Sequence, residues 1–227
     1  MNAETTSSSA ENRRNAQRDA LLDAASEMLM HGGPDAISLR KLATKVGAST
    51  MAVYTAFGGK EGLITALFEE AFDRLAAAQQ AVPRDPEPIL WLANLSRAYR
   101  DFALKNPSYY ALMISATLPV PAALRHNEPA PNEPAARSIA RHPSYQNLLD
   151  AIEACIAEGS MSADADPAVI ADALWATVHG LCSLELAGFH LSAEAAERRF
   201  GVTAGAILRG LLTPKGLAKY EGFSRRR

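Results

Sequence analysis

A stretch near the N-terminus, punctuated by glycine, limits the folds open to this chain more than any other feature. Residues 38–63 read Ser-Leu-Arg-Lys-Leu-Ala-Thr-Lys-Val-Gly-Ala-Ser-Thr-Met-Ala-Val-Tyr-Thr-Ala-Phe-Gly-Gly-Lys-Glu-Gly-Leu. Ser38 is placed to cap a helix, and Ile37 and Leu42 hold the two positions of a hydrophobic staple around it. Leu39, Leu42, Ala43 and Val46 then share one face, with Arg40, Lys41 and Lys45 on the other. Gly47 makes a turn that calls for a left-handed residue. Ser49 caps a second short helix in which Val53 and Phe57, four apart, face inward. Gly58-Gly59 breaks that helix and Lys60 opens the next. Two short helices across a glycine turn, followed at once by a third, form a helix-turn-helix, a shape that lays one helix in the major groove of DNA.

The rest of the chain reads as helix too. Val and Ile are sparse, Ala is abundant and no sustained alternation of apolar and polar residues occurs, so the expected class is all-α. With 227 residues and 48% hydrophobic content, there is enough chain for one large or two modest domains. Periodicity predicts helices over about 12–31, 60–82, 89–105, 108–118, 143–158, 167–190 and 193–212, in addition to the two short ones. Residues 83–88 hold three prolines and read as a linker; residues 119–134 hold five and read as a long loop. The expected organisation is a disordered arm over 1–11, a helix-turn-helix domain over 12–59, a helical body over 60–220 and a basic tail over 221–227.

Charge is uneven. Residues 11–60 carry seven Lys/Arg against five acids, whereas residues 61–220 carry thirteen against eighteen. A basic head on an acidic body fits local contact with phosphates. Cys155 and Cys182 have no ligand or disulfide spacing and read as reduced core residues, so no metal or cofactor is expected. The first ten residues lack an apolar core of signal-peptide type and no apolar run reaches transmembrane length, which reads as a cytoplasmic protein with no membrane partner.

The order of helix, helix-turn-helix, long connecting helix and all-helical body resembles the TetR family of bacterial transcriptional regulators. The residues that carry the likeness are Ile37 to Ala43, Val46-Gly47-Ala48-Ser49, Val53-Tyr54, Phe57 and Lys60-Glu61-Gly62-Leu63. The resemblance implies an N-terminal DNA-binding domain and a C-terminal domain for ligand binding and dimerisation. It makes Ser38, Thr44, Ser49, Thr50, Met51, Tyr54, Thr55 and Lys60 the candidate DNA contacts. Thr50 and Met51 suit base edges and thymine methyls, and Tyr54 suits a phosphate oxygen. Lys60 at a helix N-terminus suits a phosphate as well. Tyr54 as a packed aromatic, and Lys41 and Lys45 as a solvated face, are the plainer readings. A position that is often His in the family is Ala56 here, which removes a possible donor.

In the body, the resemblance pairs the last two helices of two chains into a four-helix interface. Ala171, Leu174, Val178, Leu181, Val202, Gly205 and Leu208 are the candidates for it. Trp175, His179 and Gly180 resemble the Trp-His-Gly signature of one subclass of these C-terminal domains. A small-molecule pocket is implied between the middle helices, with Tyr99, Phe102, Tyr109, Tyr110, Met113, Trp175 and His179 as candidate lining. Aromatic and Met side chains with a few polar tips suit an apolar effector, and no buried charge pair points to a charged one. The function this reading favours is a repressor bound as a homodimer to a palindromic operator and released by that effector. A transcriptional activator or an effector-independent regulator fits the same sequence. A reading of another class is an all-helical enzyme using His179 with Glu185 or Asp172, for which the chain offers no nucleophile, metal set or phosphate loop.

Overall fold

The computed structural model describes residues 3–33, 36–113 and 142–224. They form α1 (Ala3–Gly32), α2 (Leu39–Val46), α3 (Thr50–Phe57), α4 (Lys60–Gln80), α5 (Pro88–Lys105), α6 (Pro107–Met113), α7 (Pro143–Glu158), α8 (Pro167–Leu186), α9 (Ala193–Leu211) and α10 (Pro214–Ser224). Among the described residues there is no strand, only a single bridge between Met161 and Leu212.

Helix boundaries follow local chemistry. Ser38 accepts from the Lys41 amide at 3.4 Å to start α2, and Gly47 ends it at φ 68°. Ser49 accepts from the Ala52 amide at 3.1 Å to start α3, and Gly58 ends it at φ 72°. In the body, α5, α6, α7, α8 and α10 all open on proline, whose fixed φ and missing amide suit a first helical position. Asp166 adds a side-chain cap to α8 through the Ala168 amide at 2.9 Å.

Several expected boundaries move. The helix expected from residue 12 begins at Ala3, inside the segment expected to be a disordered arm. No Gly or Pro lies between residues 3 and 31 to stop the helix from running back. Helix α8 ends at Leu186 rather than His190, because Gly188 turns the chain at φ 76°. Residues 221–224, expected as tail, close α10. The expected loop over 119–134 and the end of the helix expected over 108–118 lie outside the described residues.

The chain divides into two compact units, and the division does not follow the expected boundary at residue 60. One unit holds the chain up to Phe72 and, from Ser108, the residues of α6; the other holds Asp73–Pro107 and the described chain from residue 142. In the first unit Leu21, Leu22, Leu42, Val53, Leu63, Leu67 and Phe68 are fully buried. The N-terminal half of α4 is thus part of the head. Its first turn seats so closely that a Cβ on Gly62 would lie 1.8 Å from the Phe57 carbonyl oxygen.

The second unit is built on Ile89, Leu92, Leu95, Ile152, Cys155, Met161, Ile170, Ala171 and Leu208. Helix α10 closes it. Thr213 Oγ1 donates to the Gly159 carbonyl at 2.8 Å and accepts from the Gly216 amide at 3.2 Å. Lys219 pairs with Glu87 at 2.8 Å and also with Glu158, which holds the Glu158 carboxyl below its ordinary range.

Candidate functional site

The head presents α3 as an exposed ridge. Val53 and Phe57 are buried, so helical periodicity turns Thr50, Met51, Tyr54 and Thr55 outward. Met51 is 73% exposed and Tyr54 51%, which leaves both free to meet a partner of the head. Thr55 Oγ1 donates to the Met51 carbonyl at 2.9 Å and Thr44 Oγ1 to the Arg40 carbonyl at 3.0 Å. Ser38 and Ser49 act as caps, each accepting a backbone amide. Lys60 stands exposed at the first residue of α4, and Arg40 and Lys41 stand exposed on α2. Lys45 is taken up by Glu27 at 2.7 Å. Arg18 braces the far end of the ridge, with its guanidinium 5.6 Å from the Phe57 ring centroid and 4.0 Å from Glu70.

The body holds a compact aromatic cluster. Tyr99 Oη lies 2.6 Å from His179 Nδ1, and Trp175 Nε1 donates to Tyr99 Oη at 3.3 Å. The Trp175 and His179 rings meet edge to face at 6.3 Å, as expected of side chains four apart on one helix. Burial holds the His179 imidazole below its ordinary pKa, which favours the neutral ring. A neutral ring accepting at Nδ1 lets Tyr99 donate to it while receiving the Trp175 N–H. Tyr145 packs edge to face on Trp175 at 6.2 Å and donates to Asp172 at 2.9 Å. Burial, reinforced by that carboxylate, pushes the Tyr145 hydroxyl up to about 12.

Other expected lining residues go elsewhere. Phe102 is buried one turn after Tyr99 on α5. Tyr109, Tyr110 and Met113 lie on α6, where Tyr109 donates to Asp23 of α1 at 2.8 Å and Ser108 meets Ser26 of α1 at 3.1 Å. Periodicity had no means of saying that these tyrosines belong with the head.

The sequence reading also missed a charge cluster. Arg100 grips Glu185 through two bonds, Nε at 2.8 Å and the guanidinium NH2 at 2.7 Å, and pairs with Glu197 as well. The Arg100 and Glu185 side chains are each 12% exposed, so this is a largely buried ion pair, contrary to the expectation of none. Its hydrogen bond to Glu185 raises the Arg100 pKa. The Phe200 ring lies 5.4 Å from the guanidinium, so α5, α8 and α9 meet at one side chain. Three residues from three distant segments make this cluster, and no sequence spacing signals it. Glu185 and Asp172, the carboxylates considered for an enzyme, are thus committed to Arg100 and Tyr145.

The expected dimer residues divide between inside and outside. Ala171, Val178 and Leu208 are buried in the subunit, Leu174 and Leu181 are half-buried, and Gly205 lies under Tyr220. Val202 is 69% exposed, and with it Val169, Leu184, Leu186 and Ile207 are exposed on the same two helices. Both faces of α8 are apolar, so hydrophobicity alone did not tell the inner face from the outer. Contrary to the expectation that no run is long and apolar enough, α8 meets the length and composition of a membrane span, with 22% of its most apolar window buried. Among the described residues no group of His, Cys, Asp and Glu is arranged to hold a metal ion. Burial pushes the Cys155 and Cys182 thiols each up to about 12.

Comparison with known proteins agrees with both halves of this description. Residues 92–207 match the model for the tetracyclin repressor-like C-terminal domain, and residues 21–67 match that for bacterial regulatory proteins of the tetR family. The chain belongs to the TetR family. It is 39% identical over 64 residues to the HTH-type transcriptional repressor ComR of Escherichia coli K12, covering 28% of this chain and 30% of that one. It is 27% identical over 102 residues to the HTH-type transcriptional regulator Rv1816 of Mycobacterium tuberculosis H37Rv, covering 44% of each. The matched segments therefore span less than half the length of these curated relatives. A solved structure of a protein of unknown function from Rhodococcus sp. RHA1 superposes with a TM-score of 0.66 at 28% identity, over 87% of this chain and 96% of that one. Members of the TetR family are DNA-binding transcriptional regulators rather than enzymes. The family has an N-terminal helix-turn-helix and a helical C-terminal domain, which is the order of elements seen here.

Proposed function

We propose that this TetR-family chain is a cytoplasmic repressor that binds a palindromic operator as a homodimer and is released by a small apolar molecule. The observation that carries the reading is the exposed ridge of α3, with Thr50, Met51, Tyr54 and Thr55 turned away from the core and Lys60 beside it. One eight-residue helix spans few base pairs, so two heads set by a dimer fit the need for specificity. Support for the dimer comes from α8 and α9. Gly180, Gly201 and Gly210 lie within these helices, and a Cβ on any of them meets nothing within 4 Å. Val169 and Leu184 are exposed on the same face of α8 as Gly180, and Val202 and Ile207 are exposed on α9. Close approach of a second copy explains both features.

The effector reading centres on Tyr99, Trp175 and His179, an aromatic cluster with polar tips. The same contact supports assignment to the Trp-His-Gly subclass. A molecule that separates Tyr99 from His179 acts on α5, which runs through Asn106 into α6, and α6 is tied to α1 by Tyr109 and Ser108. Preference for one conformation over the other is sufficient to release the operator.

Gel shift on the region upstream of its own gene tests the operator reading. Specific retardation that weakens steeply with salt and is lost on Thr50→Ala with Tyr54→Ala is the expected result. Retardation indifferent to both substitutions refutes α3 as the reader. A thermal-shift screen of apolar compounds, followed by operator release, tests the effector, and Tyr99→Ala abolishes the shift.

A further inference from the structure

Helix α3 is unusual in what it leaves out. None of its eight residues is Arg, Lys, Asn, Gln, His, Asp or Glu, the types that read base edges through paired hydrogen bonds. Part of its hydroxyl chemistry is turned back on the protein. Thr55 donates to the Met51 carbonyl at 2.9 Å, so its hydroxyl proton is spent within the helix, and its methyl and the acceptor side of its oxygen are left for a partner. Ser49 is occupied as a cap at 3.1 Å. Met51, one turn before Thr55, is 73% exposed, and Ala56 is exposed next to Thr55. The exposed cations that suit phosphates, Arg40, Lys41 and Lys60, stand on α2 and α4 instead. Charge thus flanks the ridge, while Met51, Ala56 and the Thr55 methyl give it apolar surface beside the Thr50 and Tyr54 hydroxyls. In the major groove only thymine presents a methyl group.

We propose that the reading helix recognises its half-site chiefly by packing Met51 and the Thr55 methyl on thymine C5-methyl groups, with hydrogen bonds to base edges in a minor role. The inference rests on the operator reading of α3. Burying one methyl is worth about fourfold in affinity, so several such contacts are needed and the preferred half-site is rich in thymine at the contacted steps. Cytosine methylated at C5 presents the same group at the same place, so it substitutes in part for thymine.

The test uses the full chain and a duplex selected by it from a random pool. Each thymine of that duplex is replaced in turn by deoxyuridine, which removes only the methyl. Each guanine is replaced in turn by 7-deazaguanine, which removes only the N7 acceptor. The expected result is a loss of about fourfold at one or more thymines per half-site, with the loss at one of them absent in Met51→Ala. Thr55→Val keeps the affinity and Thr55→Ser loses it, the reverse of what a hydroxyl reader gives. Replacing that T·A pair by C·G weakens binding, and 5-methylcytosine at the same step recovers part of it. Both positions are exposed, and equal melting temperatures of the variants show that the fold is kept. Indifference to deoxyuridine at every thymine, with a steep loss at a 7-deazaguanine, overturns the inference and leaves the operator reading intact. Selection of no preferred duplex overturns the operator reading itself, and the inference with it.

Discussion

The head and the body both place glycine in helices, and for opposite reasons. In the head, Gly62 allows the first turn of α4 to rest on α3, where an added Cβ lies 1.8 Å from the Phe57 carbonyl oxygen. In the body, Gly180, Gly201 and Gly210 face open space, with nothing within 4 Å of an added Cβ. A glycine inside a helix costs about 1 kcal/mol against alanine. The cost in the head is offset by a contact within the chain. The cost in the body has no counterpart among the described residues, which directs attention to a second copy. A glycine is explained at the scale where its missing side chain matters.

The sharpest way to break this contrast is Gly62→Ala. The new methyl meets backbone, not a flexible side-chain end, so α4 must lift from α3. Overpacking of this kind costs about 3 kcal/mol. Chemical denaturation is expected to show the loss, and operator binding to fail with it, because α4 and α3 no longer hold their angle. A variant as stable as the parent shows that the seat of α4 is not rigid.

Next in size is Arg100→Met, which asks whether the body is held by polar contacts where the head is held by close fit. The substitution keeps bulk against Phe200 but leaves Glu185, 12% exposed, without its bidentate partner. Leaving the carboxylate unsatisfied in this way is expected to cost about 2–3 kcal/mol, read as a lower midpoint of denaturation. Glu185→Leu added to it restores most of the loss. A single variant of parental stability shows that solvent reaches Glu185 freely.

How much of this was legible in the sequence also differs between the two regions. In the head, Ser38, Gly47, Ser49 and Gly58 act within a few residues of themselves, so capping and turn chemistry located α2 and α3. The outward arc of α3 followed from Val53 and Phe57 alone. In the body, what matters joins residues far apart in the chain. Arg100 meets Glu185, Tyr99 meets His179 and Lys219 meets Glu158, and no local pattern carries such pairings. Trp175 and His179 were legible together because they are four apart on one helix. The inner and outer faces of α8 were not, because both are apolar and only tertiary packing assigns Ala171 inward and Val169 outward.

Gly180 gives a smaller effect on stability and a clearer one on assembly. In an isolated subunit Gly180→Ala is expected to stabilise by about 1 kcal/mol, since it adds helix propensity and strikes nothing. Gly180→Leu keeps much of that gain but blocks the close approach of another helix. Sedimentation velocity is expected to find the parent as a dimer and Gly180→Leu as a folded monomer. A Gly180→Leu protein that remains dimeric removes α8 from the pairing face and with it the contrast drawn from the glycines.

The smallest effect belongs to His179 and concerns pH. Burial holds its folded-state pKa below the ordinary 6.5. Between those two values the unfolded chain binds a proton that the folded chain does not, so stability rises with pH across that window. The contribution is complete above about 6.5 and declines as pH falls from there toward the folded-state pKa, below which it changes no further. Protonation also ends the acceptor role of Nδ1 toward Tyr99, which lies 2.6 Å away. Denaturation midpoints of the parent and of His179→Gln, compared from neutral pH downward, isolate this part of the slope. A parent slope identical to that of His179→Gln shows that the imidazole is reached by water in the folded state, and that the aromatic cluster of the body is looser than its distances imply.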